Sequence, residues 1–238
     1  MTEYTVAERL ALSERLASVA ERAENAARSA GRSRDEFLII PVTKFQPESL
    51  TRALYELGVR DFAENRHQDA RVKAEACADL PGIVWHFVGQ LQGKKARQVR
   101  SYSRVIHSVD RVSLVEALAY EHPVEPELAT GCFIQVNLTL DVDRGGVADT
   151  EGVEIVAEAI LGAPGLELLG VMAVAPLDEE PRAAFARLRR ISDRVRLVAP
   201  SATLISAGMT NDFEEAILEG ATHLRIGSAI TGNRPPNS

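Results

Sequence analysis

Eight short apolar runs recur along the chain, and each is followed by a segment of helical periodicity or, after the last, by a turn. The predicted strands cover residues 37–42, 59–63, 83–87, 104–107, 132–136, 166–174, 203–206 and 223–226. The predicted helices between them cover 47–57, 67–77, 93–100, 112–120, 150–161, 180–198 and 211–218. Their spacing of roughly 20 to 30 residues is that of βα units, without a repeat in the sequence itself. Phe37-Leu-Ile-Ile-Pro-Val42 is nearly continuous apolar residue, as expected of a parallel strand buried on both faces. Eight such units predict an α/β chain folded as one (β/α)8 TIM barrel, with residues 1–238 forming a single domain. An open doubly wound sheet is the second choice. It would carry a glycine-rich turn after its first strand, where this chain has Thr43-Lys44-Phe45-Gln46.

Before the first strand, Thr5 and Glu8 have the spacing of a capping box. Leu12, Leu16, Val19, Ala23, Ala26 and Ala30 follow on one helical face, and Gly31 ends the helix. Residues 1–31 therefore form an extra N-terminal helix packing on the barrel, expected as a lid over one of its ends. Pro47 is expected at the first position of the next helix.

The net charge of −7, from 27 basic and 34 acidic residues, gives no basic surface for nucleic acid. Cys77 and Cys132 are far apart, match no metal spacing and suit a reducing compartment. With neither a signal-like start nor a long apolar run, the expectation is a cytoplasmic chain with no membrane partner.

Strand carboxyl ends are where ligands bind in such sheets and barrels. Lys44 follows the first strand directly. An apolar environment around its stem would desolvate the ammonium and free the amine to attack a carbonyl. The plainer alternative is a lysine that pairs with an acid at the strand end. After the seventh and eighth strands stand Ser206-Ala-Gly208-Met209-Thr210 and Arg225-Ile-Gly227-Ser228. Glycines permit close approach to an anion, hydroxyls offer hydrogen bonds, and a predicted helix start presents amides. A lysine across the mouth from a phosphate cradle suggests a phosphorylated aldehyde held as a Schiff base.

These residues carry a family resemblance. Val42-Thr-Lys44, Phe62-Ala-Glu-Asn65, Trp85-His-Phe-Val-Gly-Gln-Leu-Gln92, His107-Ser-Val-Asp110, Gln135-Val-Asn137, Gly208-Met-Thr-Asn-Asp212 and the stretch from Arg225 to Arg234 follow a familiar order. Together they make the chain similar to the YggS/PROSC family of pyridoxal 5'-phosphate homeostasis proteins. That family has the barrel of bacterial alanine racemase, fold type III among pyridoxal phosphate proteins, without its second domain. The resemblance implies pyridoxal 5'-phosphate as cofactor, held as a Schiff base on Lys44. It implies that Ser206, Thr210 and the amides near Met209, Gly227 and Ser228 hold the phosphate, and that Arg225 faces the pyridine nitrogen. Asn65 and His86 would line the ring. Lys94-Lys95, Ala207, Thr210 and Thr231 depart from the usual pattern, and Thr210 keeps the hydroxyl.

Three functions follow: a cofactor carrier without a dedicated reaction, an amino-acid racemase, or a Schiff-base aldolase on a phosphorylated substrate. Racemisation needs a base on each face of the reacting carbon. Tyr4, Tyr55, Tyr102 and Tyr120 all fall away from predicted strand ends. For an aldolase, Glu64 is the acid to consider, with orienting Asn65 or Arg66 as its plainer role. The expectation is therefore a monomeric carrier serving vitamin B6 homeostasis, with transient apoenzyme recipients and weak side reactions only.

Overall fold

The structure is a computed structural model that describes residues 4–122, 124–139 and 145–232. Its strands are β1 (Leu38–Pro41), β2 (Asp61–Glu64), β3 (Val84–Phe87), β4 (Val105–Val109), β5 (Thr130–Gln135), β6 (Leu166–Met172), β7 (Leu204–Ser206) and β8 (His223–Ile226). The helices are α1 (Val6–Ser29), α2 (Glu48–Glu56), α3 (His67–Ala76), α4 (Ala96–Arg100), α5 (Val112–Leu118), α6 (Thr150–Gly162), α7 (Pro181–Val198), α8 (Phe213–Leu218) and α9 (Ser228–Thr231). All the strand pairs are parallel, in the order β1-β8-β7-β6-β5-β4-β3-β2. Closure between β1 and β2 is thin. It rests on one bridge, Val42 with Ala63, and on the Thr43 amide donating to the Ala63 carbonyl over 3.0 Å.

Strand alternation sorts the core into two shells. Ile39, Phe62, Trp85, Ile106, Cys132, Ile134, Val171, Ile205 and Leu224 point outward into the main cluster beneath the helices. Ile40, Val42 and Ala63 form a separate small group inside the barrel, packed with Leu38 and Val88. The rest of the interior is unusually polar, with His86, His107, Ser206 and Arg225 all buried.

The capping box of α1 forms as the spacing predicts, with the Glu8 amide on Thr5 Oγ1 and the Thr5 amide on Glu8 Oε2. The expected lid does not form. α1 instead packs along the barrel wall against α8 and α9. Arg15 donates to the Ile230 carbonyl (2.8 Å) and Arg32 to the carbonyls of Ile217 and Ala221 (2.9 Å each). Arg9 pairs with Glu56 at the end of α2. With α9 only four residues long, α1 takes the place in the outer ring that a full helix after β8 would fill. Its alanines allow that close approach.

Other differences lie at element ends, where local patterns are weakest. Pro47 is the N-cap of α2 rather than its first residue, α5 stops at Leu118, and α8 begins at Phe213 rather than at Asn211. No helix among the described residues is long and apolar enough to cross a membrane.

Candidate cofactor site

The carboxyl ends of β1, β2, β6, β7 and β8 surround a cavity of about 630 Å³. Lys44, Asn65, Met209, Thr210, Arg225, Gly227 and Ser228 line it, so seven of the nine predicted residues meet at one mouth. Val42, Val88, Met172, Val174, Ala175 and Pro176 supply an apolar wall. A larger opening of about 1020 Å³ lies outside the barrel between α3 and α4 and gathers none of the predicted residues.

His86 and Ser206 are the exceptions. Each lies on an inward-pointing strand position, but below the cavity. His86 bonds His107 Nε2 (3.0 Å) and Asp61 Oδ1 (2.9 Å), so it does not line the ring site. The Ser206 hydroxyl, fully buried, is occupied by Arg225 Nη1 (2.5 Å) and His107 Nδ1 (2.8 Å) rather than facing a phosphate. The Met209 amide is also taken, donating to Asp212 Oδ1 over 2.6 Å. What Ser206 does is hold Arg225, whose second nitrogen, Nη2, donates to the Ala173 carbonyl (2.9 Å). Burial pulls the Arg225 pKa down to about 10, and the Asp212 carboxylate works against that shift. At that value the guanidinium remains a cation at neutral pH.

Lys44 is exposed at the rim, so the expected burial of its stem is not found; β1 has already ended and the lysine stands over the open mouth. The backbone around it is held instead. Phe45 adopts φ +64°, rare for a residue with a side chain, and its ring lies under the Arg66 guanidinium at 4.7 Å. The Thr43 carbonyl, one residue before Lys44, accepts from Lys73 Nζ (2.7 Å). Lys73 also pairs with Glu64, and Thr43 Oγ1 donates to the same carboxylate oxygen over 2.6 Å. Sequence reasoning missed this buried group. The available signal was Lys73 on the inward face of α3, one turn from Ala70 and Cys77, where a cation requires a buried partner.

Several features fit a phosphorylated aromatic aldehyde. Asn65 Oδ1 is buried with no hydrogen-bond partner among the described residues, a polar atom that a ligand donor would satisfy. Nothing lies within 4 Å of where a side chain on Gly227 would begin, which leaves space for a ligand. Gly208, at φ +89°, lets the β7 loop fold back onto α8: a Cβ there would stand 2.8 Å from the Phe213 Cα. In α9 the first internal bonds are made by Ile230 and Thr231 to the Gly227 carbonyl. The Ala229 amide reaches Thr210 Oγ1 at 3.4 Å, tying the two loops together beside the cavity.

Fold and cavity define the class: a parallel (β/α)8 barrel with its candidate ligand site at the strand carboxyl ends. Residues 16–235 match the family described as the alanine racemase N-terminal domain, and the chain belongs to that family. Within it, the chain is 38% identical to a protein of Mycobacterium tuberculosis named pyridoxal phosphate homeostasis protein, covering 94% of this chain and 93% of that one. A Pseudomonas aeruginosa protein of the same name is 37% identical over 94% of this chain and 96% of its own. PipY of Synechococcus elongatus, solved with PLP bound, superposes with a TM-score of 0.77 at 30% identity, covering 93% of this chain and all of PipY.

Proposed function

We propose that this chain binds pyridoxal 5'-phosphate through Lys44 and serves intracellular vitamin B6 homeostasis without a dedicated reaction of its own. The observation that carries the reading is the convergence of an exposed lysine, a buried arginine and two linked loops on one cavity. The relatives named for pyridoxal phosphate homeostasis and the PLP-bound PipY support it. When bound, the cofactor supplies an aldehyde that a primary amine captures reversibly. Lys44 would provide that amine. Thr210 and the amides of Gly227 and Ser228 would hold the phosphate, and Arg225 would present its charge to the ring nitrogen. Asn65 Oδ1 would accept from the ligand. A cation beside the ring nitrogen keeps that nitrogen unprotonated and weakens the ring as an electron sink.

The two enzyme readings find less support. None of the four tyrosines lines the cavity: Tyr55 donates to the Pro81 carbonyl, Tyr102 meets His67, Tyr120 meets Thr130, and Tyr4 precedes α1. A racemase would therefore lack a tyrosine of this chain as its second base. Glu64, the acid an aldolase would need, is engaged by Lys73 and Thr43 at the β1–β2 seam. The reading further takes residues 1–238 as one cytoplasmic, monomeric binding unit that releases cofactor to apoenzymes.

The test is an absorbance spectrum with pyridoxal 5'-phosphate, taken for the wild type and for Lys44→Ala. A visible band absent from the variant, and fixed by borohydride to the Lys44 peptide, is the expected result. No band, or rapid turnover of alanine by the purified protein, would overturn it.

A further inference from the structure

The cofactor reading leaves the polar interior of the barrel without a role. Asp61 opens β2 at the amino-terminal end of the barrel and is partly exposed there. From it, hydrogen bonds run to His86 on β3, His107 on β4, Ser206 on β7 and Arg225 on β8. His107 reaches the interior because it follows the outward-pointing Ile106 along β4, where successive side chains take opposite faces. Phe133 stacks on its ring at 4.6 Å and closes that side.

The direction of every proton in this row follows from its two ends. At the upper end a guanidinium only donates, so the Ser206 oxygen accepts from Arg225 and its own proton must go to His107 Nδ1. At the lower end a carboxylate only accepts, so His86 carries its proton on Nε2, facing Asp61. With His86 neutral, its Nδ1 is bare and accepts from His107 Nε2. His107 is held neutral by burial and by the neighbouring charge of Arg225. Its Nδ1 is then bare, which is what the upper end requires. Were His107 to carry its proton on Nδ1, the Ser206 oxygen would face two donors and its hydroxyl proton would lose its acceptor.

We propose that Asp61 is a positioning residue for Arg225, ordering a one-way hydrogen-bond chain through His86, His107 and Ser206 that holds the guanidinium in the wall of the mouth cavity. The Ala173 carbonyl gives Arg225 a second acceptor, so the chain sets its orientation while the carbonyl sets its depth. Any consequence for cofactor binding rests on the proposed role of Arg225; the order of the chain does not.

The first test uses the free wild-type protein. Long-range proton–nitrogen NMR of the five histidines should place the ring protons of His86 and His107 both on Nε2, and the Arg225 Nη nitrogens should give separate, slowly exchanging signals. In Asp61→Ala both signatures should be lost, and the dissociation constant for pyridoxal 5'-phosphate should rise about tenfold, the equivalent of one hydrogen bond. Asp61→Asn keeps an acceptor oxygen and should behave as the wild type. A proton on His107 Nδ1 in the wild type would overturn the proposal. So would an Asp61→Ala protein whose Arg225 signals stay resolved. If the wild type gives the expected histidine and arginine signals but no visible band with pyridoxal 5'-phosphate, the chain stands and the cofactor reading alone falls.

Discussion

At the β1–β2 seam a full ion pair, Lys73 with Glu64, is sealed behind Lys44, whereas the group sealed behind Arg225 is a string of histidines and a serine. The first holds backbone. Lys73 grips the Thr43 carbonyl where the strand ladder is reduced to one bridge. The second aims a side chain, and its members are polarised by a fixed donor at one end and a fixed acceptor at the other. Opposite charges suit the seam because Lys73 meets both the Thr43 carbonyl and Glu64 Oε1, which offsets part of the cost of burial, while Glu64 Oε2 is left without a hydrogen-bond partner among the described residues. Neutral links suit the interior because Arg225 already brings a cation, and a second buried cation beside it would be repelled. The same barrel thus fixes two residues of one cavity by opposite means.

The sharpest way to break this contrast is Lys73→Ala. It leaves the Glu64 carboxylate buried without its cation and should cost about 3–5 kcal/mol in urea unfolding. Lys73→Met combined with Glu64→Leu should recover most of that loss, while borohydride trapping at Lys44 stays impaired because the Thr43 carbonyl is no longer held. A double variant as unstable as the single one would show that the pair does more than neutralise charge.

A smaller effect is expected from Ser206→Ala. It leaves one Arg225 nitrogen and His107 Nδ1 unpaired in the interior, a loss of about 1–3 kcal/mol on the same unfolding curves. The comparison fails if this variant matches Lys73→Ala in cost, since a neutral link would then weigh as much as an ion pair.

The smallest, per step, is the response to pH. Burial first, then the neighbouring His86 ring and the Arg225 cation, hold His107 well below the usual imidazole range; the same influences, opposed only by Asp61, lower His223 to about 4. Below pH ~6.5 the unfolded chain therefore takes up protons that the folded chain refuses. Stability from these groups is fully present above that pH and is lost as pH falls toward 4, at up to about 1.4 kcal/mol per pH unit for each histidine. Urea midpoints at pH 7, 6 and 5 check this, and a flat profile would remove the neutral interior.

The legible parts of the site were those that depend on chain direction. Lys44, Asn65, Met209, Thr210, Gly227 and Ser228 each follow a strand, Arg225 is one residue from the end of β8, and every parallel strand delivers its carboxyl end to the same mouth. His86 and Ser206 were misplaced because a period of two tells which face a residue takes but not how deep in a closed barrel it sits. Depth depends on the stagger between strands, and that stagger is set by partners far away in sequence. The Ser206 pairing with His107 spans 99 residues. α1 was misassigned for a related reason: its stripe of alanines specifies a close partner without naming it.

By itself the sequence determined eight βα units, the capping box of α1 and seven of the residues that reach the mouth. These rest on local periodicity, cap chemistry and chain polarity, each acting within a few turns or one strand. Only the tertiary structure decided that α1 completes the helical ring, that Lys73 supports the lysine strand from behind, and that a row of five side chains joins Asp61 to Arg225. Those arrangements bring together groups from distant strands and helices, and no spacing along the chain encodes the barrel closure that makes them neighbours.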